Sequence, residues 1–214
     1  MSIYNLPEGW RPCAYQVQQF LRWAGHAAVY LVAVDPAGKA VGRYFEGSVK
    51  AACKWAVSKN ANGANVYFAP NWVKPELKER PTRSDIRRVF YNHTVIDLSQ
   101  LAGVRKSEAI MSLYDGHPSP AFVIEAGETI TAMWRANGDD LKAEEALNLV
   151  LAKRFEGDEN RTSLSHIIPL PGTMQWHGGL DDLQSGRSPV QTIWLGMHDP
   201  EKAECIWRFK ERRR

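Results

Sequence analysis

The order of short strand-like runs and helical patterns constrains this chain more than any other feature. Ala28 to Val34 is a β-rich run stopped by Asp35-Pro36-Ala37-Gly38, a good turn sequence, and Gly42 to Phe45 can return as its hairpin partner. Asn65 to Ala69 is a short strand before Pro70. Val89 to Leu98 is a largely apolar strand interrupted by Asn92 and His93. Ala121 to Ile124 and Thr129 to Trp134 flank a turn at Gly127. Ile167 to Leu170 and Val190 to Leu195 are the last strand-like runs. Between them lie helical patterns. Ala14 to Ala24 places Val17, Phe20, Leu21 and Ala24 on one face. Ser48 to Lys59 does the same with Val49, Ala52, Cys53 and Ala56, and stops at Asn60-Ala61-Asn62-Gly63. Ser107 to Tyr114 is a short helix. Asp140 to Phe155 is the clearest one, with an expected buried stripe of Leu141, Ala143, Ala146, Leu147, Val150 and Leu151. Strands and helices do not alternate strictly. The expected class is therefore α+β, with a mixed, mainly antiparallel central sheet and flanking helices.

The 214 residues fit one domain: a helix and hairpin lead-in over 1–60, a core over 61–195 and a basic tail over 196–214. No apolar run approaches the length of a membrane span, and Met1 to Arg11 lacks the pattern of a secretion signal, so a cytoplasmic protein with no membrane partner is expected. Cys13, Cys53 and Cys205 are far apart and form no C-x-x-C pair, which argues against a disulfide framework or a zinc site and for buried core thiols. The net charge of +3 says little about an anionic partner. Its distribution says more. Lys74, Lys78, Arg80, Arg83, Arg87 and Arg88 cluster in one stretch, diluted by Glu76, Glu79 and Asp85, and can neutralise phosphates.

Several segments carry a more specific signal. Lys54-Trp55-Ala56 leads to Gly63-Ala64-Asn65-Val66-Tyr67-Phe68-Ala69-Pro70-Asn71, then the basic stretch and Asp85-Ile86. His93-Thr94-Val95-Ile96-Asp97-Leu98-Ser99 follows. Ala126-Gly127-Glu128-Thr129-Ile130-Thr131-Ala132-Met133-Trp134 comes next, and Ser163 through Leu170-Pro171-Gly172-Thr173-Met174-Gln175-Trp176 comes last. In this order, over about Ala51 to Val190, the chain resembles the archaeo-eukaryotic primase superfamily. The likeness is to the RepB-like branch of plasmids, phages and integrated elements. The resemblance implies an RRM-like primase-polymerase core, metal-dependent nucleotidyl transfer in its active members, and DNA or nucleotides as partners.

Against that pattern the scaffold positions persist and the chemical ones do not. The first motif is an acid-x-acid pair on one face of a strand end, holding divalent metal. Here either Asp97 is the first acid and Ser99 replaces the second, or Asp97 is the second and Val95 replaces the first. The second motif is a glycine-rich turn for the incoming nucleotide's phosphates. Gly127 and Trp134 remain, but Glu128 and Thr129 replace glycines, and Thr131 stands at the His or Gln position. In the third motif Ser163 aligns with the acid, His166 with the first Arg, Pro169 with the Arg before Leu, and Gln175 with the usual Asn. Gly157-Asp158 precedes it as in the family.

The resemblance therefore implies one partial catalytic residue, Asp97, with at most a weak Mg²⁺ or Mn²⁺ site, since phosphoryl transfer by two metals needs carboxylates that fix both ions. The implied nucleotide or nucleic-acid contacts are Gly127, Thr129, Thr131, Trp134, His166, Arg187, Lys74, Lys78, Arg80 and Arg83. Against each stands a plainer role: Asp97 as a turn or cap residue, the histidines as satisfied core groups, Trp134 and Trp176 as packing residues. Three functions follow as expectations. The first is a degenerate primase-polymerase-like binding protein. The second is an active DNA primase or polymerase whose metal site is rebuilt from Asp97 with Glu125 or Glu128. The third is an accessory module beside another replication protein.

Overall fold

The computed structural model of the chain describes residues 6–24, 28–101, 106–116, 118–181 and 188–195. The α+β expectation holds, with the strands divided between two sheets. A hairpin of β1 (Ala28–Val34) and β2 (Ala40–Glu46) turns at Gly38, whose φ of 84° suits a residue without Cβ. β3 (Asn65–Ala69) pairs with β1, and the two-residue β8 (Ile168–Pro169) pairs with β3, giving the four-stranded order β2-β1-β3-β8.

The second sheet has the order β4-β5-β7-β6-β10-β9. Its long strands are β5 (Ile86–Asp97) and β7 (Thr129–Gly138), joined by β6 (Phe122–Ala126) and β10 (Val190–Trp194). Two short edge strands, β4 (Trp72–Val73) and β9 (Met174–Gln175), had no periodic signature. Every pairing in both sheets is antiparallel.

Four α-helices among the described residues flank the sheets. α1 (Ala14–Trp23) and α2 (Val49–Ala61, capped by Ser48) share a core with both sheets. Phe20 of α1 is its hub. The ring meets Phe68 of β3 at 4.9 Å and Phe122 of β6 at 5.6 Å, both edge-on. Burying such a ring stabilises by roughly 2–3 kcal/mol, with about 1 kcal/mol more per edge contact. Tyr91, Met133, Phe122 and Ile124 line the face of the second sheet that meets the first. Residues one step along the strands, Ile96, Ile130, Ala132, Trp134 and Val123, point to the opposite face. There they pack with α3 (Lys106–Asp115) and α4 (Leu141–Arg154).

α4 corrects the sequence reading. Asp140 caps it, accepting from the backbone N–H of Lys142 and Ala143 at 3.0 and 3.1 Å. Its buried face, however, is Glu144, Leu147, Asn148, Leu151 and Ala152, while Ala143, Ala146 and Val150 are exposed. The helix is rotated because a polar residue docks it: Asn148 Oδ1 accepts from the His93 backbone N–H at 3.0 Å and from Asn92 Nδ2 at 2.9 Å. The thiols Cys13 and Cys53 are half-buried rather than buried, because they lie at the solvent side of the α1–α2 contact, and Cys205 falls outside the described residues. No described helix is long and apolar enough to cross a membrane.

The segment from Ser163 to Trp176 has little regular structure, and asparagine side chains tie it down. Asn60 donates to Met174 O at 2.7 Å and accepts from Met174 N at 2.8 Å. Asn65 donates to Trp176 O at 3.0 Å and accepts from Trp176 N at 2.6 Å. Asn71 donates to Leu164 O at 3.0 Å, and its oxygen accepts from both Phe90 and Tyr91 N–H at 3.0 Å, where β5 shifts register. An amide carries a donor and an acceptor like a peptide group, so it completes a ladder where no strand runs. The Pro171-Gly172 turn is held against α1: Cys13 N–H donates to Gly172 O at 2.7 Å, and Gly172 has φ 88°.

Asn71→Ala is expected to destabilise the protein by about 2–4 kcal/mol, because two buried and one part-buried backbone group lose their partner. Urea unfolding measures it. A midpoint unchanged from the parent would refute the role given to this amide.

Candidate functional site

A cleft of about 480 Å³ opens where the two sheets meet. β5 and β7 supply its floor. Val95 and Thr131 are cross-strand partners, as are Asp97 and Thr129, so all four side chains start on the same face of the sheet. The asparagine-pinned segment supplies one wall through His166, Ile167, Pro169 and Gln175. Tyr67 of β3 and Arg80, from the chain between β4 and β5, also line it, with Val34, Ala126 and Arg161. Thus seven positions singled out in sequence, Arg80, Val95, Thr129, Thr131, His166, Pro169 and Gln175, converge. Gly127 sits beside them in the β6–β7 turn, with φ 65°.

Asp97 ends β5, and Ser99 falls in the following 3-10 turn. Only positions 95 and 97 therefore share a strand face, so the residue beside Asp97 on that face is Val95. The Asp97 carboxylate is committed. Its Oδ1 accepts from Ser99 N at 3.1 Å and Ser99 Oγ at 2.6 Å, and its Oδ2 lies 3.7 Å from Arg161 Nη2. The same guanidinium holds Asp158 through Nε at 3.0 Å. Local structure explains the meeting. Asp158 N–H donates to Val95 O at 2.7 Å, and Asp158 caps the 3-10 turn Glu159–Arg161. Gly157 lets this segment lie flat on β5, since a Cβ there would fall 3.0 Å from Val95 O. The acids are 18% and 12% exposed at their side chains and Arg161 is 39% exposed, so the guanidinium covers the carboxylates and lines the cleft in their place.

Beneath the wall, His93 and His166 stack with ring centroids 5.4 Å apart and planes at 18°. His93 Nε2 lies 3.0 Å from the Arg161 carbonyl, which can only accept, so Nε2 carries the proton and Nδ1 faces the Asn148 amide at 3.4 Å. Burial lowers the His93 pKa to about 4, against the stabilising bond to that carbonyl. Burial lowers His166 to about 3, helped by His93, Arg161 and Arg80. Both rings are neutral near pH 7. Burial also raises the Tyr67 hydroxyl, with the charge of Arg80 opposing. Arg80 is exposed and has no acidic partner among the described residues.

Other expected contacts lie elsewhere. Trp134 is fully buried on the helix face, stacked on Phe155 at 5.3 Å with Nε1 donating to Pro118 O at 2.7 Å, so no base can reach it. Trp176 is a packing residue too, its Nε1 donating to Asn60 O at 3.0 Å. Lys74 pairs with Asp85 at 3.2 Å and Arg83 with Glu145 at 3.1 Å, outside the cleft lining. Lys78 is exposed and outside the lining, and its carbonyl accepts from Gly42 N–H at 2.7 Å. Arg187 lies outside the described residues. Glu125 alternates to the helix face and pairs with Lys106 at 2.6 Å, while Glu128 is exposed at the turn. Neither carboxylate joins Asp97 on the cleft face. Ser163 hydrogen-bonds Ser165 at 3.0 Å. Among the described residues no three His, Cys, Asp or Glu side chains gather as a metal site.

Sequence reasoning missed Arg161. The signal was present as Gly157-Asp158-x-x-Arg161, an acid and a base three residues apart just after α4. Its meaning depends on the approach to Asp97, which local spacing does not encode.

No protein-family model and no curated protein sequence matches the chain. Solved structures do. The crystal structure of primase RepB′ aligns with a TM-score of 0.60 at 14% identity, covering 94% of this chain, which spans 64% of that one. The catalytic domain of primase RepB′ in complex with initiator DNA gives 0.58 at 15% identity, covering 94% of this chain and 96% of that one. The AEP domain of the cyanophage S-2L primase-polymerase gives 0.59 at 17% identity, covering 88% and 95%. The chain thus has the RepB-like archaeo-eukaryotic primase fold.

The histidine pair generates a pH prediction. A histidine whose folded pKa is depressed favours the native state above its unfolded value of 6.5, and that stability is lost as pH falls toward about 4 for His93. The expected loss is on the order of 2–3 kcal/mol between pH 6.5 and about 4.5. Chemical denaturation across this range measures it. His93→Gln should flatten the dependence, and an equally steep variant would exclude His93 as its source.

Proposed function

We propose that this chain is a nucleic-acid- or nucleotide-binding protein on a primase-polymerase fold that has lost nucleotidyl transfer. One observation carries the reading: where the strand-end acid pair belongs, Val95 lines the cleft and Asp97 lies behind Arg161, which lines the cleft in its place. Two-metal phosphoryl transfer requires carboxylates that fix both ions within a few ångströms of each other. A lone carboxylate with an arginine across it holds a divalent ion poorly, since Mg²⁺ keeps its waters unless several oxygens replace them. Ser163, at the position of the third acid, adds no charge. The opposite orientation of Glu125 speaks against a site rebuilt from it.

Binding is supported by the cationic lining and by the fold. One structure of the same fold is a primase catalytic domain in complex with initiator DNA, which makes DNA the first partner to test. The setting this reading carries is cytoplasmic replication of a plasmid, phage or integrated element, alone or beside another replication protein.

Primer synthesis and extension on single-stranded templates, with Mg²⁺ or Mn²⁺ and both ribo- and deoxynucleotides, should give no product. A gel-shift salt series on single-stranded DNA should show binding that weakens as salt rises. Product formation abolished by Asp97→Ala would overturn the loss of catalysis. Absence of salt-sensitive binding would favour the accessory-module function instead.

A further inference from the structure

Resting on that reading, we propose that the cleft is a metal-independent phosphate site. In it Arg161 takes the place of a divalent cation between Asp97 and Asp158, and Arg80 supplies the second positive group. The ligand is a phosphate group borne either by the end of a nucleic-acid strand or by a free nucleotide.

The geometry of Arg161 is the first support. Both acids sit on its side-on edge, Asp158 at Nε and Asp97 at Nη2. A guanidinium has N–H donors on its far end as well, and Nη1 has no protein partner among the described residues. In a metal-dependent polymerase site, carboxylates hold a cation from one side and phosphate oxygens meet it from the other. Arg161 reproduces that arrangement with a charge that is covalently attached and always present. Because it is more exposed than either acid, a ligand entering the cleft meets the cation first.

The composition of the lining is the second support. It holds Arg80, Arg161, Thr129, Thr131, Tyr67, His166 and Gln175, and no carboxylate. Bringing an anion there meets donors and positive charge, with the acids screened behind the guanidinium. Arg80 bears no ion pair among the described residues, yet its charge acts on Tyr67 and His166. Arg161 also acts on His166. The two arginines therefore line one cleft and both act on the same ring. A free surface arginine would gain little from a partner, but a forked contact to phosphate in a recess is stronger than a neutral hydrogen bond.

The experiment is equilibrium binding by calorimetry with the full chain in EDTA and again with Mg²⁺. One arm uses ATP and dATP. The other uses a short single-stranded oligonucleotide with either a 5′-phosphate or a 5′-hydroxyl. The expected result is binding in EDTA that Mg²⁺ changes by no more than about twofold, with Arg80→Gln weaker by about tenfold. Preference for the nucleotides identifies a nucleotide site, and preference for the 5′-phosphate over the 5′-hydroxyl strand identifies a strand-end site. Arg161→Ala, which frees two neighbouring carboxylates, should lose binding in EDTA and regain it with Mn²⁺. Circular dichroism checks that this variant is folded, and Arg80→Gln, at an exposed unpaired residue, carries the test if it is not.

Binding that appears only with Mg²⁺ or Mn²⁺ in the parent protein overturns the proposal, as does an Arg80→Gln variant indistinguishable from the parent in both arms. Equal binding of the phosphorylated and unphosphorylated strands without nucleotide binding also overturns it, while leaving the nucleic-acid-binding reading intact. Primer synthesis would instead remove the loss of catalysis and leave EDTA-resistant binding to be judged separately.

Discussion

Side-chain amides acting as pieces of backbone hold this protein together at its functional end. The segment from Ser163 to Trp176 crosses both sheets with only two-residue strands of its own. Asn60, Asn65, Asn71 and Asn148 supply the missing peptide-like pairs, reaching Met174, Trp176, Leu164 and Thr162. Three of the four are fully buried or nearly so, where an unpaired amide or peptide group would be costly. Asn65 and Asn71 thereby set the position of the cleft wall, and His166, Pro169 and Gln175 arrive with it.

The charge of the cleft is set at the end of the central antiparallel pair. In this fold the end of the central antiparallel pair is where anionic side chains can gather, because residues two apart on β5 share a face. Here that face carries Val95 and Asp97, and the turn packed on it brings Asp158 and Arg161 together. A guanidinium between two carboxylates satisfies them without a bound ion. It differs from a metal in one decisive respect. It can orient a phosphate through hydrogen bonds, but it cannot ligate an attacking oxygen and lower its pKa as a divalent ion does. On the proposed reading, binding and catalysis have come apart for that reason.

Much of the architecture was legible because it follows from short-range patterns. β1, β3 and α1 lie where alternation, turn residues and helical spacing put them, and Gly38 and Gly127 close the turns. The failures share a cause. The face of α4 was misjudged because periodicity counts apolar residues, and this helix docks through Asn148 and Glu144 instead. Trp134 was read as a contact to nucleotide from its place in a motif, yet strand alternation turns it away from the cleft. β4 and β9 are too short to leave a period.

The sequence by itself determined the α+β class, the positions of the main strands and helices, the single acid Asp97 with Val95 and Ser99 to either side, and the order of motifs that pointed to this fold. All of these are local in the chain or depend on residue identity alone. The tertiary structure decided which of the two readings of Asp97 places a pair on one strand face, where Glu125 points, and which cations enter the cleft. Arg161 meets an acid from β5 that lies 64 residues earlier, and Arg80 arrives from a different sheet connection. Charges act through space, and only folding sets which of them become neighbours.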